Sequence, residues 1–190
     1  MLDTLKSKPS VLINRLLLLA GLLIFVPCYT YLLNLFTEMG IDTNEFNTVW
    51  LSFDQTTFID FFQKIDQGGH LQTFIWTYQL NILSITGFIL AFFALAIMVA
   101  RRVPEDSCLY KSAFLFPILP IIVGVADILP SLMLLSTSDD LLNIAGWIVL
   151  AISGFYYFRV LVLYALLIWM AGVGIIRVYR KFRKNNEPQV

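Results

Sequence analysis

Four apolar runs divide the chain, at residues 16–36, 74–100, 112–135 and 155–177. Each has the roughly 20 residues that a helix needs to cross a hydrocarbon layer of about 30 Å. No water can serve the backbone in that layer, so each run must close its own hydrogen bonds as a helix. The expected fold is therefore all-α: an integral membrane four-helix bundle, built by residues 1–190 as a single domain. Composition agrees, with 58% hydrophobic and 14% charged residues, where soluble domains average about a quarter charged. The first run is too long for the apolar region of a signal peptide and no small-x-small cleavage site follows it, so it reads as a retained span.

Residues 37–73 are the main polar segment. Glu38, Asp42, Glu45, Asp54, Asp60 and Asp66 stand there against Lys64 alone. Within it, Phe58, Ile59, Phe61, Phe62 and Ile65 fall on one side of a helical wheel, with Asp60, Gln63, Lys64 and Gln67 opposite. The pattern predicts a short amphipathic helix ended by Gly68-Gly69. Such a helix either lies at the bilayer surface or caps the bundle; a lid over a ligand is the functional alternative.

Proline and glycine set the expected breaks. Pro27 should kink the first span locally. Pro117, Pro120 and Pro130 remove three donors from the third, which should bend or break it and place it among the other helices. STSDD (136–140) reads as a polar turn whose Ser138, Asp139 or Asp140 could cap the next helix. The helical pattern then runs from Leu141 to Lys184, too long for one span, and Ser153-Gly154 is the expected split. Gly146, Gly154, Gly172 and Gly174, with Ala151, would permit close helix approach within the chain or between copies.

Basic residues orient the chain. Eleven of the thirteen Lys and Arg are Lys6, Lys8, Arg15, Arg101, Arg102, Lys111, Arg177, Arg180, Lys181, Arg183 and Lys184. By the positive-inside rule both termini and the middle loop face the cytoplasm. Segment 37–73 is then extracytoplasmic, and 178–190 is a basic cytoplasmic tail. The tail would attract anionic lipid. No basic surface of the kind that binds nucleic acid is evident.

Two charges remain inside the apolar runs: Asp127 in PIIVGVADILPSLMLL and Arg159 in GFYYFRVLVLYALLIW. A charge in hydrocarbon is costly unless it pairs or faces a wet cavity. At about 1.5 Å per residue, Asn81 lies roughly 30 Å from Arg101, Asp127 roughly 24 Å from Lys111, Arg159 roughly 27 Å from Arg177 and Asn34 roughly 28 Å from Arg15. All four reach one layer in the outer leaflet. The expected arrangement is an Asp127–Arg159 pair, bidentate if Arg159 presents its fork, with Asn81 and Tyr78 completing the hydrogen bonds. The alternative makes this layer the floor of an outward-facing pocket in which Arg159 binds an anionic headgroup or metabolite. One carboxylate and no His relay disfavour proton conduction.

No metal site or cofactor is expected, since His70 is the single histidine and has no ligand-spaced neighbours. Cys28 lies in an apolar run and Cys108 in a loop, so a disulfide between them is not expected. There is no nucleophile–base pair and no paired carboxylate, so an enzyme is the least favoured class.

Two stretches carry a resemblance. SFDQTTFIDFFQKIDQGGHLQTFIWTYQLN leads from an outer segment into a polar start of the second span, and ARRVPEDSCLYK is a short basic loop with a proline between spans two and three. In this layout, over most of its length, the chain resembles uncharacterised bacterial four-span membrane proteins. The resemblance implies the architecture and a bacterial inner-membrane location, and carries over no functional residues.

The expected function is that of a non-enzymatic inner-membrane subunit, a sensor, scaffold or assembly component acting through protein partners or self-association. A bacterial signalling or phage-defence complex would suit such a component. The alternative is a small channel, transporter or lipid- or anion-binding protein built around Asp127 and Arg159. Membrane lipid is an expected partner in either case.

Overall fold

The computed structural model describes residues 9–105, 107 and 109–186. Lys6, Lys8 and Cys108 lie outside the described residues, as do the side chains of Lys111 and of the basic residues from Arg180 onward. The protein is all-α. Among the described residues, four helical stretches are long and apolar enough to cross a membrane: Val11–Glu38, Leu71–Ala100, Phe116–Ser136 and Gly146–Tyr179.

Helix α1 spans Val11–Glu38, starting five residues before the apolar run because Ser10 accepts a hydrogen bond from the Ile13 amide and so caps it. It continues through Pro27. Its far end closes on Gly40, where φ is +68°. The Gly40 amide bonds Thr37 O and the Ile41 amide bonds Phe36 O, the paired closure that a left-handed glycine permits.

Segment 37–73 holds two helices where the sequence predicts one. Helix α2 (Thr43–Trp50) escapes the period because it has little more than two turns, yet it buries Val49 and Trp50. Helix α3 (Gln55–Gln67) is the amphipathic helix, and the predicted face of Phe58, Phe61, Phe62 and Ile65 is buried. Asp54 caps it, accepting from the Thr57 amide at 2.8 Å and the Thr57 hydroxyl at 2.7 Å. These bonds hold the Asp54 carboxyl below its ordinary range, the hydroxyl contributing most. Gly69, with φ +72°, ends the helix as the sequence suggests. Lys64 pairs with Glu45 at 2.6 Å and ties α3 to α2 at the surface.

Together α2 and α3 cap one end of the bundle rather than lying beside it. Trp50, 2% exposed, is their hub. Its ring stacks on Phe46 at 4.0 Å and meets Phe58, Phe61 and Phe74 edge-on or tilted within 6.3 Å. Ile144, Ile148, Val149 and Ile152 join the same core from the other side, and Gln55 bonds the Ile144 carbonyl at 2.8 Å.

Helix α4 (Leu71–Ala100) returns across the bundle. After the short helix α5 (Tyr110–Ala113) and a 3-10 turn (Phe116–Ile118), helix α6 runs Leu119–Ser136. The break expected in the third span falls at its start, where residues 114–118 separate α5 from α6, and not within the long helix. Pro117 and Pro120 occupy the first turns of their helices, where no backbone donor is needed. Only Pro130 is internal, removing the donor that would serve the Ala126 carbonyl.

A second correction concerns the last helix. Residues Ser138–Asn143 form a 3-10 turn in which Asp140 accepts from the Asn143 amide group at 2.7 Å rather than capping a following helix. Helix α7 then runs unbroken from Gly146 to Asn186. Ser153-Gly154 does not split it, because Val149, Ile152, Ser153 and Tyr156 form one continuous buried face, and a single helical glycine costs only about 1 kcal/mol.

The spans pack in chain order: α1 along α4, α4 along α6, and α6 along α7. Backbones approach closely between α1 and α4. A Cβ added at Gly21 would lie 2.4 Å from the Ala91 amide nitrogen, and one at Gly87 2.6 Å from that of Phe25. By contrast, a Cβ at Gly154, Gly172 or Gly174 would meet nothing within 4 Å. The within-chain approach expected of those three is therefore made by Gly21 and Gly87 instead. At the end away from the cap, Phe116 stacks on Trp169 at 4.4 Å over Ala96, Ala100 and Leu166.

Candidate functional site

Chain-order packing leaves α1 and α7 as the two flanks of the bundle, joined chiefly through the cap. Between them, directly below α2, lies a cavity of about 140 Å³. Its roof is Phe46, Asn47 and Trp50 of α2. Its floor is Thr77, Tyr78 and Asn81 of α4, with Asp127 and Ser131 of α6. Tyr29 and Leu32 of α1 face Tyr156 and Arg159 of α7 across it.

Asp127 and Arg159 meet. One Arg159 terminal nitrogen donates to a single Asp127 carboxylate oxygen at 2.6 Å. The contact is through one nitrogen rather than bidentate, and Nε is buried without a partner among the described residues. The guanidinium also lies over the Tyr156 ring, 4.3 Å from its centroid, a placement attractive to a cation. About a quarter of each charged side chain stays accessible, 24% for Arg159 and 22% for Asp127.

The other predicted members are placed differently. Asn81 reaches Ser131 Oγ at 3.4 Å, and Ser131 donates to the Asp127 backbone carbonyl at 3.1 Å. Asn81 therefore ties α4 to the backbone of α6 and not to the ion pair. Tyr78 is only 7% exposed, and its hydroxyl has no hydrogen-bond partner among the described residues. It lines the cavity without completing the pair. Asn34 does not join the layer at all and is exposed. Counting residues gives depth along a helix but not rotation about it. With Leu32 and Leu35 turned inward, Asn34 falls on the opposite side of α1.

No known family, characterised protein or solved structure is similar enough to the chain to count as a match. The site must be read from its own chemistry. Among the described residues, no three His, Cys, Asp or Glu side chains stand together as a metal would need.

Three contributors were not singled out in the sequence. Tyr156 sits one turn from Arg159, a spacing that shares a helix face, and that signal was available. Ser131 stands in the same relation to Asp127. Asn47 gave no signal, because its contact depends on where α2 docks. The Tyr156 hydroxyl donates to Asn47 Oδ1 across 109 residues of chain. A continuous set of contacts thus runs from the cap through Asn47, Tyr156 and Arg159 to Asp127 on α6.

The arrangement offers a charged pair with one buried, unpartnered donor, a buried hydroxyl and a ring of aromatic faces. It can hold a small polar group.

Proposed function

We propose that this chain is a membrane binding protein that holds the polar part of a small ligand or lipid in the cavity beneath α2 and performs no chemistry on it. One observation carries the reading: two residues that line the cavity each bury a polar group, the Tyr78 hydroxyl and Arg159 Nε, with no partner among the described residues. A buried donor left unsatisfied costs about 1–3 kcal/mol, and a ligand that accepts from both would recover it. The distribution of Lys and Arg supports both termini in the cytoplasm and the cap outside. The cavity then opens in the outer leaflet of a bacterial inner membrane, the location that the four-span resemblance implies.

Native mass spectrometry of the protein extracted in mild detergent tests the reading. A retained one-to-one adduct is expected, and Asn81→Leu, which removes one polar group from the floor without enlarging the cavity, should reduce it. A wild-type chain carrying no adduct, or an adduct indifferent to Asn81, would count against the proposal.

A second reading, a subunit that works through helix partners, draws on Gly154 and Gly172, about five turns apart on one side of α7, whose added Cβ would meet nothing within 4 Å. Small residues on an unpacked helix face admit close approach by another helix. Light scattering in detergent distinguishes it: a monomer that stays monomeric at high concentration removes self-association.

A further inference from the structure

The cavity carries both signs of charge and no surplus of either. Among the described residues, Asp127 and Arg159 are its only charged lining residues. A simple anion drawn to Arg159 would also face the carboxylate bonded to it at 2.6 Å, and most of the attraction would cancel. A simple cation drawn to Asp127 meets the same difficulty. A ligand bearing both charges a few ångströms apart is complementary to both. Six rings complete the lining: Tyr29, Phe36, Phe46, Trp50, Tyr78 and Tyr156. Aromatic faces favour an ammonium group. Arg159 Nε and the Tyr78 hydroxyl, both buried and unpartnered among the described residues, would become the donors to the ligand's acid end once those side chains turn toward it.

Size and access narrow the class. A cavity of about 150 Å³ holds a six-carbon ring, so 140 Å³ accommodates an aminoethyl arm and the near edge of an acid group. The remainder would lie between α1 and α7, which do not pack along each other. There Tyr29 is 46% exposed, on a side that faces hydrocarbon rather than water in a bilayer.

We infer that the cavity selects a small zwitterionic group, its ammonium held by Asp127 and the aromatic faces and its phosphate or carboxylate by Arg159 and Tyr78. This rests on the binding reading above and adds the ligand class. The same chemistry has two sources, the headgroup of phosphatidylethanolamine entering between α1 and α7, or a free aminoalkyl phosphate.

The test uses the full chain in detergent supplemented with equal phosphatidylethanolamine and phosphatidylglycerol, read by native mass spectrometry. A parallel thermal-shift series uses free phosphoethanolamine. Selective retention of phosphatidylethanolamine, by about tenfold for one charge-assisted contact, supports the inference and identifies a lipid source. A thermal shift with phosphoethanolamine and no retained lipid supports it with a soluble source. Asp127→Asn should remove the ammonium contact and turn the preference toward phosphatidylglycerol. Tyr78→Phe keeps the ring and should lower retention without lowering the melting temperature, so it reports even if Asp127→Asn fails to fold. Equal retention of the two lipids, or preference for phosphatidylglycerol in the wild type, overturns the zwitterion while leaving a binding site. No bound lipid and no shift with phosphoethanolamine overturns the site as well.

Discussion

The Asp127–Arg159 pair can be removed one charge at a time. Breaking a buried pair costs about 3–5 kcal/mol, because the remaining charge is uncompensated. Two features separate the single variants. In Asp127→Ala, Arg159 keeps the Tyr156 ring 4.3 Å away, so the expected loss lies near the low end, about 3 kcal/mol. In Arg159→Ala, Asp127 loses the one donor that reaches its carboxylate among the described residues, and the expected loss is about 4 kcal/mol. The double variant leaves no charge behind. It should lose packing and the cation–ring contact only, about 3–4 kcal/mol in place of a sum near 7. The coupling is then about 3–4 kcal/mol, at the upper end of what residues in direct contact show. Unfolding in mild detergent, followed by the fluorescence of buried Trp50 and Trp169, measures all four proteins. Losses that add to within about 0.5 kcal/mol would refute the coupling and mean that the two charges are stabilised separately.

Three further outcomes follow from the packing and the cap. Gly21→Leu should force α1 off α4, since its Cβ alone would lie 2.4 Å from backbone that cannot move aside; a loss of about 3 kcal/mol is expected, and wild-type stability would contradict the crossing. Tyr156→Phe should lose about 1 kcal/mol and speed hydrogen exchange in α2 while leaving the middle of α4 unchanged, because its hydroxyl bonds Asn47 of the cap; exchange faster in both helices, or in neither, would show that this contact does not hold the cap down. Asp54 has its carboxyl lowered by the Thr57 hydroxyl and amide. Its contribution to stability is therefore complete above the ordinary carboxylate value, about pH 4, and is lost as pH falls through the lower folded value. Asp54→Asn, which can still cap, should flatten that part of the acid profile, and identical profiles for both proteins would refute the assignment.

What could be read from the sequence follows from what each signal measures. Hydropathy over 20 residues reports the number of spans, and four were legible. Period reports one face of one helix, so α3 was visible through Phe58, Phe61, Phe62 and Ile65, whereas α2 was too short for a period to show. Proline marks the interruption at residues 114–118, but the sequence does not show that Pro117 and Pro120 begin helices rather than break one, because proline's effect depends on position within a helix. A donor missing from a first turn costs nothing. Ser153-Gly154 was misread because local propensity of about 1 kcal/mol is small beside a continuous packed face. Among the site residues, Asp127 and Arg159 were conspicuous because charge is rare in apolar runs. Asn34 was placed at the right height and on the wrong side. Asn47 and the aromatic roof could not be inferred, because they belong to the cavity only once the cap has docked.

The cavity is a consequence of how this chain solves two separate problems. Gly21 and Gly87 bring α1 so close to α4 that backbones touch, and α7 lies on α6, so the flanking helices are drawn to opposite sides of the bundle. Left alone, that arrangement would expose Asp127, Arg159 and Tyr78 along an open groove. The cap closes the groove at one end only, and it does so with rings: Trp50 anchors α2 to α3 and α4, while Asn47 reaches Tyr156 on the far flank. The charged pair joins α6 to α7, and the Asn47–Tyr156 contact joins the cap to α7. The cavity lies between these two ties, so a group that draws Arg159 away from the Tyr156 ring disturbs both. Occupancy and the seating of α2 are thus linked through Tyr156, and the hydrogen-exchange rate of α2 with and without bound phosphoethanolamine measures that link. Equal rates would separate the cap from the site.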